Sequence, residues 1–141
     1  MATIITDLKN TFRRGNIYLQ LIYINVGVFI LTTLTEVILQ LFNRSLAGVF
    51  EWMELPASLS RFIIQPWSIF TYMFMHAGLM HILFNMLWLY WFGALFLNFF
   101  STKHLRGIYI LGGICGGVLY IVAYNIFPYF RPMIEYSFML G

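Results

Sequence analysis

Two side chains four residues apart, His81 and Asn85, fall inside an uncharged apolar run, where a polar group is costly to place and calls for a reason. On a helix they stand about 40° apart and project from one face at adjacent turns. An imidazole and a carboxamide fixed in that way are hydrogen-bond donors that need no reorganisation when negative charge develops on a nearby oxygen. With a span beginning near Met80, Asn85 would lie on the order of 8 Å below its end, so protein groups or admitted water must serve it. His76 stands just before the span. Two other readings compete: His81 and Asn85 bond neighbouring helices, as polar residues in membrane bundles do, or His76 and His81 ligate a metal or haem, for which no third strong ligand stands nearby.

The other polar residues singled out inside apolar runs are Glu36, Asn98 and Asn125. Glu36 lies about three quarters of the way through its run; it either pairs with loop residues in the polar interior or snorkels to water, the second being preferred. Asn98 and Asn125 are close to the ends of their runs and need no functional explanation. Gly112 with Gly116, and Gly113 with Gly117, make small-xxx-small pairs that favour close helix packing and suggest no chemistry. Cys115 is the single cysteine, which excludes an internal disulfide and a thiolate cluster.

The elements that must position these groups are membrane spans. Only 9% of the 141 residues are charged and 61% are hydrophobic, against roughly 25% charged in soluble domains, which argues against a water-soluble fold, and one membrane-embedded unit is expected. The eight Lys and Arg residues are scattered, which fits orientation in a bilayer and not nucleic-acid binding. A first span covers about residues 17–42, a second 79–100 and a third about 105–127, each long enough to cross a hydrocarbon layer of ~30 Å. Residues 133–141 read as the opening of a fourth apolar segment that does not complete, after a turn from Pro128 to Pro132.

Lys9, Arg13 and Arg14 precede the first span, and Lys103 and Arg106 separate the second from the third. The positive-inside rule therefore puts the N-terminus in the cytoplasm and residues 43–78 on the outer side. A structureless connection of that length would be unusual. Leu46, Val49, Phe50 and Met53 recur at helical spacing, and Phe62, Ile63, Ile64 and Trp67 follow, which suggests an interfacial helix in the outer leaflet or a loop packed on the span ends. Trp52 and Trp67 suit the headgroup region in either case.

The segment HAGLMHILFN, from His76 to Asn85, resembles the signature of rhomboid intramembrane serine proteases: His, four residues, His, three residues, Asn. The run PWSIFTYMFMH leading into it and NMLWLYWFG continuing to Gly93 are similar to that family as well. The close match covers about thirty residues, while span order and loop length agree across the chain. The resemblance implies an all-α polytopic transmembrane bundle, rhomboid-like, with three spans and the start of a fourth out of six. It implies that His81 and Asn85 help form an oxyanion hole, that His76 supports the outer end of the site, and that the long first outer loop is partly embedded in the membrane.

The family's serine nucleophile sits in a Gly-x-Ser-Gly-like turn opening the fourth core span, and its histidine base on the sixth; neither is expected in this chain. The ending SFMLG resembles the approach to that turn, with Gly141 as its first glycine and the serine two residues later. Ser137 precedes that glycine and has no C-terminal histidine to activate it, and His104 falls on the cytoplasmic side, so both are rejected as catalytic groups. The resemblance further implies an endopeptidase acting on transmembrane protein substrates within the lipid bilayer, through serine attack and an acyl-enzyme, without cofactor or metal. A multi-pass protein of a bacterial inner membrane is expected, inactive as the 141 residues stand. The alternative is a non-proteolytic rhomboid-like protein that binds membrane clients. A transporter fragment is disfavoured by the lack of a repeat or broken-helix pair.

Overall fold

In the computed structural model, Thr6, Asn10 and residues 16–45 and 47–140 are described. Lys9, Arg13 and Arg14, used above for orientation, Leu46 of the expected interfacial helix, and Gly141 of the expected glycine turn lie outside those residues. Three helices are long and apolar enough to cross a membrane: α1 (Ile17–Leu41), then α5 (Leu79–Phe96) and α6 (Thr102–Ile126). They match the three runs read from composition, within a few residues at each end. Side chains such as Leu31, Leu41, Ile108 and Leu119 stand exposed along them. That is the surface expected of helices whose outer faces meet lipid tails, since only helices and closed barrels satisfy every backbone group in hydrocarbon.

Helix α1 stops cleanly. Asn43 adopts the left-handed conformation with φ 54°, which asparagine tolerates better than most residues. The N–H of Asn43 donates to Gln40 at 3.0 Å and that of Arg44 to Leu39 at 2.9 Å, the paired bonds of a Schellman ending. The chain then enters a connection that is structured throughout. Its elements are α2 (Ala47–Glu51), β1 (Leu55–Pro56), α3 (Leu59–Ile64), α4 (Ser68–Thr71) and a 3-10 turn at Tyr72–Phe74. The helical spacing of Val49, Phe50 and Met53 therefore yields only a five-residue helix. Met53 falls in the turn that follows it, whose N–H bonds the Phe50 carbonyl at 2.8 Å.

Two packed cores result. One joins Ile17 and Leu21 of α1 to Leu105 of α6, at the end of the bundle where α1 and α6 both begin. There Gly93 of α5 lets the Tyr18 side chain approach: a Cβ at Gly93 would come within 2.6 Å of Tyr18 Cβ. The second core seats the connection on α6, with Leu55, Ile69, Tyr72 and Met73 against Ile121. The glycines of α6 serve this core. A Cβ at Gly117 would lie 2.5 Å from Ile69 Cδ1 and 2.8 Å from Leu55 Cδ2, and Gly113 faces Met73. The small-xxx-small stripe thus receives side chains of the long connection, where a neighbouring helix backbone was expected.

Residues 133–140, expected to open a fourth apolar segment, are not α-helical. A 3-10 stretch covers Pro128–Tyr136 and β2 covers Phe138–Met139, pairing antiparallel with β1 through Leu55 with Met139 and Pro56 with Phe138. Pro128 and Pro132 each lack the N–H that a continuing α-helix would need. The Ala57 N–H donates to the Ser137 carbonyl at 2.9 Å, and Arg61 lies 4.0 Å from Glu51 and 3.9 Å from Glu135. The C-terminal segment is thereby stitched to the connection between the first two spans.

Candidate functional site

Gly78 precedes the first turn of α5, which gives His81 the third helical position and Asn85 the next turn of the same helix. The Ala77 N–H points to His81 Nδ1 at 3.5 Å, a long bond. An Nδ1 that accepts leaves the proton on Nε2, so the neutral ring presents an N–H donor on its far side. His76 has the opposite tautomer: its Nδ1 lies 3.3 Å from the Phe74 carbonyl, which can only accept, so the proton sits on Nδ1 and Nε2 is an acceptor. The two rings meet edge to face, with centroids 5.5 Å apart. Burial holds the His76 imidazole below its usual titration range, opposed by the Phe74 carbonyl and assisted by His81.

A cavity of about 370 Å³ runs between α1, α5, α6 and the connection. Asn85 and His76 both line it, together with Trp88, Tyr72 and the α6 glycines 112, 113 and 116. His81 is half-buried and is not part of that lining; it stands one turn nearer the start of α5, against the His76 ring. The structure thus brings Asn85 and His76 onto one wall and sets His81 beside them. Among the described residues the Asn85 carboxamide makes no hydrogen bond, so its N–H groups are available to whatever enters. Met139 and Leu140 line the same cavity, delivered there by the β1–β2 pairing. Leu140 and His76 also line a second hollow of about 500 Å³, between the far end of α1 and the connection.

A rhomboid domain model matches residues 64–130. The chain belongs to the rhomboid family. Neither the curated proteins nor the solved structures contain a match to it. In this rhomboid protein the matched stretch holds His76, His81, Asn85 and the α6 glycines, whereas α1 and the Met139–Leu140 wall fall outside it. Three apolar helices of spanning length and the family together make it an integral membrane protein.

Three residues that line this cavity, Asn25, Tyr72 and Tyr109, went unnoticed in the sequence. Asn25 of α1 is fully buried; its Nδ2 donates to the Leu21 carbonyl at 2.8 Å and to the Tyr109 hydroxyl at 3.0 Å, and both Asn25 and Tyr109 line the cavity. The cost of a polar group at bilayer depth, which singled out Asn85, applies equally to Asn25. Tyr72 carries no such signal; its hydroxyl donates to the Gly113 carbonyl at 2.5 Å. Glu36 accepts from Ser45 Oγ at 3.1 Å and from Gln40 Nε2 at 3.2 Å and lines the second hollow. Pairing with a loop residue thus replaces the snorkelling preferred from sequence. His104 contacts Ser101 Oγ at 2.8 Å on the first turn of α6, next to Leu105 of the Ile17–Leu21–Leu105 core, at the far end of the bundle from His76.

Proposed function

We propose that this rhomboid protein works as an intramembrane serine endopeptidase, with Asn85 and His81 as oxyanion donors and His76 supporting the loop end of the site. The single observation that supports this most is the free Asn85 carboxamide on a cavity wall shared with His76 and with the Met139–Leu140 segment. A serine of the full-length protein brought beside those donors would be the nucleophile, and a histidine on a later span would serve as its base. The serine oxygen attacks the scissile carbonyl, the oxyanion accepts bonds from Asn85 and His81, and collapse expels the amine to leave an acyl-enzyme that water hydrolyses. A transmembrane substrate must unwind locally, because a hydrogen-bonded helix shields its own carbonyls. On this reading the N-terminus lies in the cytoplasm and the His76 end of the cavity faces the outer side of a bacterial inner membrane.

The test is labelling of the full-length protein, reconstituted in bilayers, with a serine-directed fluorophosphonate. A labelled serine two residues after Gly141, together with cleavage of a reconstituted transmembrane substrate, is the expected result. Absence of label and of cleavage, with stable co-purification of an intact single-span client, would instead favour the non-proteolytic client-binding reading. The largely apolar lining of Met73, Met86, Trp88 and Leu89 suits such a client as well.

A further inference from the structure

The deepest polar group of the cavity is not used by the proposed chemistry. Asn25 and Tyr109 lie roughly 10–12 Å into α1 and α6, counted from the end where both helices begin, whereas His76 lies at the opposite end of the same cavity. Asn25 is 0% exposed, and its Oδ1 has no hydrogen-bond partner among the described residues. The amide orientation is fixed by chemistry. Nδ2 points at the Leu21 carbonyl, which can only accept, so a flipped amide would set two acceptors against each other. The Tyr109 hydroxyl accepts from the same Nδ2, which leaves its own proton free to be donated elsewhere.

One spare acceptor and one spare donor therefore stand side by side on two residues that line a cavity much larger than a water molecule. A buried acceptor left unmatched costs about 1–3 kcal/mol, and buried polar groups that the protein leaves unmatched are met by ordered water that bonds two to four groups. We propose that Asn25 and Tyr109 form a water-binding site, in which one water donates to Asn25 Oδ1 and accepts from the Tyr109 hydroxyl. The bound water joins α1 to α6 at mid-depth and keeps that part of the cavity lining hydrated inside an otherwise apolar bundle. This site does not depend on proteolysis and stands equally in a client-binding protein.

Water-edited solid-state NMR of the full-length protein in bilayers, with ¹⁵N-labelled asparagine, tests it directly. The Asn25 signal is assigned by its loss in Asn25→Leu. The expected result is rapid magnetisation transfer from water to the Asn25 carboxamide in the wild type, slowed several-fold in Tyr109→Phe, with transfer to Asn85 unchanged. Asn85 reports the hydration of the cavity wall independently. Transfer to Asn85 without transfer to Asn25 would show a dry Asn25 site and overturn the proposal, while leaving the reading of the Asn85 wall intact. Transfer to neither residue would overturn both.

Discussion

The imidazole of His76 meets that of His81 edge-on, with ring planes 61° apart, and the neighbouring His81 disfavours the charged form of His76. Burial is the larger influence on His76 and acts in the same direction. The folded protein therefore binds this proton less readily than the unfolded chain, whose histidine titrates at its ordinary value of 6.5. Stability is greatest above that value and falls as pH drops below it, until His76 protonates in the folded state as well. Denaturation in micelles followed from about pH 8 to 5 is expected to show this decline, and His76→Gln to flatten it. An unchanged pH slope in the variant would count against the assignment.

Glu54 gives the opposite sign. Its carboxyl is held above the ordinary 4.5, first by burial and then by the charge of Glu51, beside the second hollow. A raised carboxylate pKa contributes stability present below the ordinary value and lost as pH rises through the folded one. Glu54→Gln is thus expected to raise the melting temperature at neutral pH, with the gain shrinking in acid. Equal melting temperatures at neutral pH would refute it.

Packing between α1 and α5 rests on Gly93. Adding a methyl there meets Tyr18 Cβ, an atom fixed to the helix and unable to swing aside, so α1 itself must move. Gly93→Ala is expected to destabilise by about 1–3 kcal/mol. Gly107, with nothing within 4 Å of a built Cβ, provides the control, and Gly107→Ala should be neutral or slightly stabilising because alanine is the better helix former. Chemical denaturation of the two variants side by side decides between them.

Asn125 ties the connection to α6 by donating to the Ala57 carbonyl at 2.9 Å, and Ala57 is fully buried. Asn125→Leu leaves that carbonyl unsatisfied, at a cost of about 1–3 kcal/mol. Hydrogen exchange should rise at Ala57, whose N–H bonds the Ser137 carbonyl, before it rises in α1. Uniform protection across the chain would argue that Asn125 is dispensable.

On the proposed chemistry, Asn85→Ala in the full-length protein should lower kcat/KM for a transmembrane substrate by about 2.7–4 kcal/mol of transition-state stabilisation. The fold should be unaffected, since Asn85 bonds no other described residue. Near-normal turnover by a folded variant would remove Asn85 from the oxyanion role.

The three spans and the His76, His81 and Asn85 cluster were legible in the sequence because hydropathy and helical spacing are local properties of the chain. Runs of twenty apolar residues cannot hide, and neither can a polar pair one turn apart within them. What only the tertiary structure decided is which groups face one another. Asn85 shares its wall with His76 and Leu140 while His81 stands aside, Asn25 reaches Tyr109 across the bundle, and the α6 glycines receive Ile69, Leu55 and Met73 of the connection. Those outcomes depend on contacts between residues far apart in the chain, 84 positions for Asn25 and Tyr109. The β1–β2 pairing that sets the course of the last residues is likewise fixed by backbone hydrogen bonds, which carry almost no side-chain signature when a strand is two residues long.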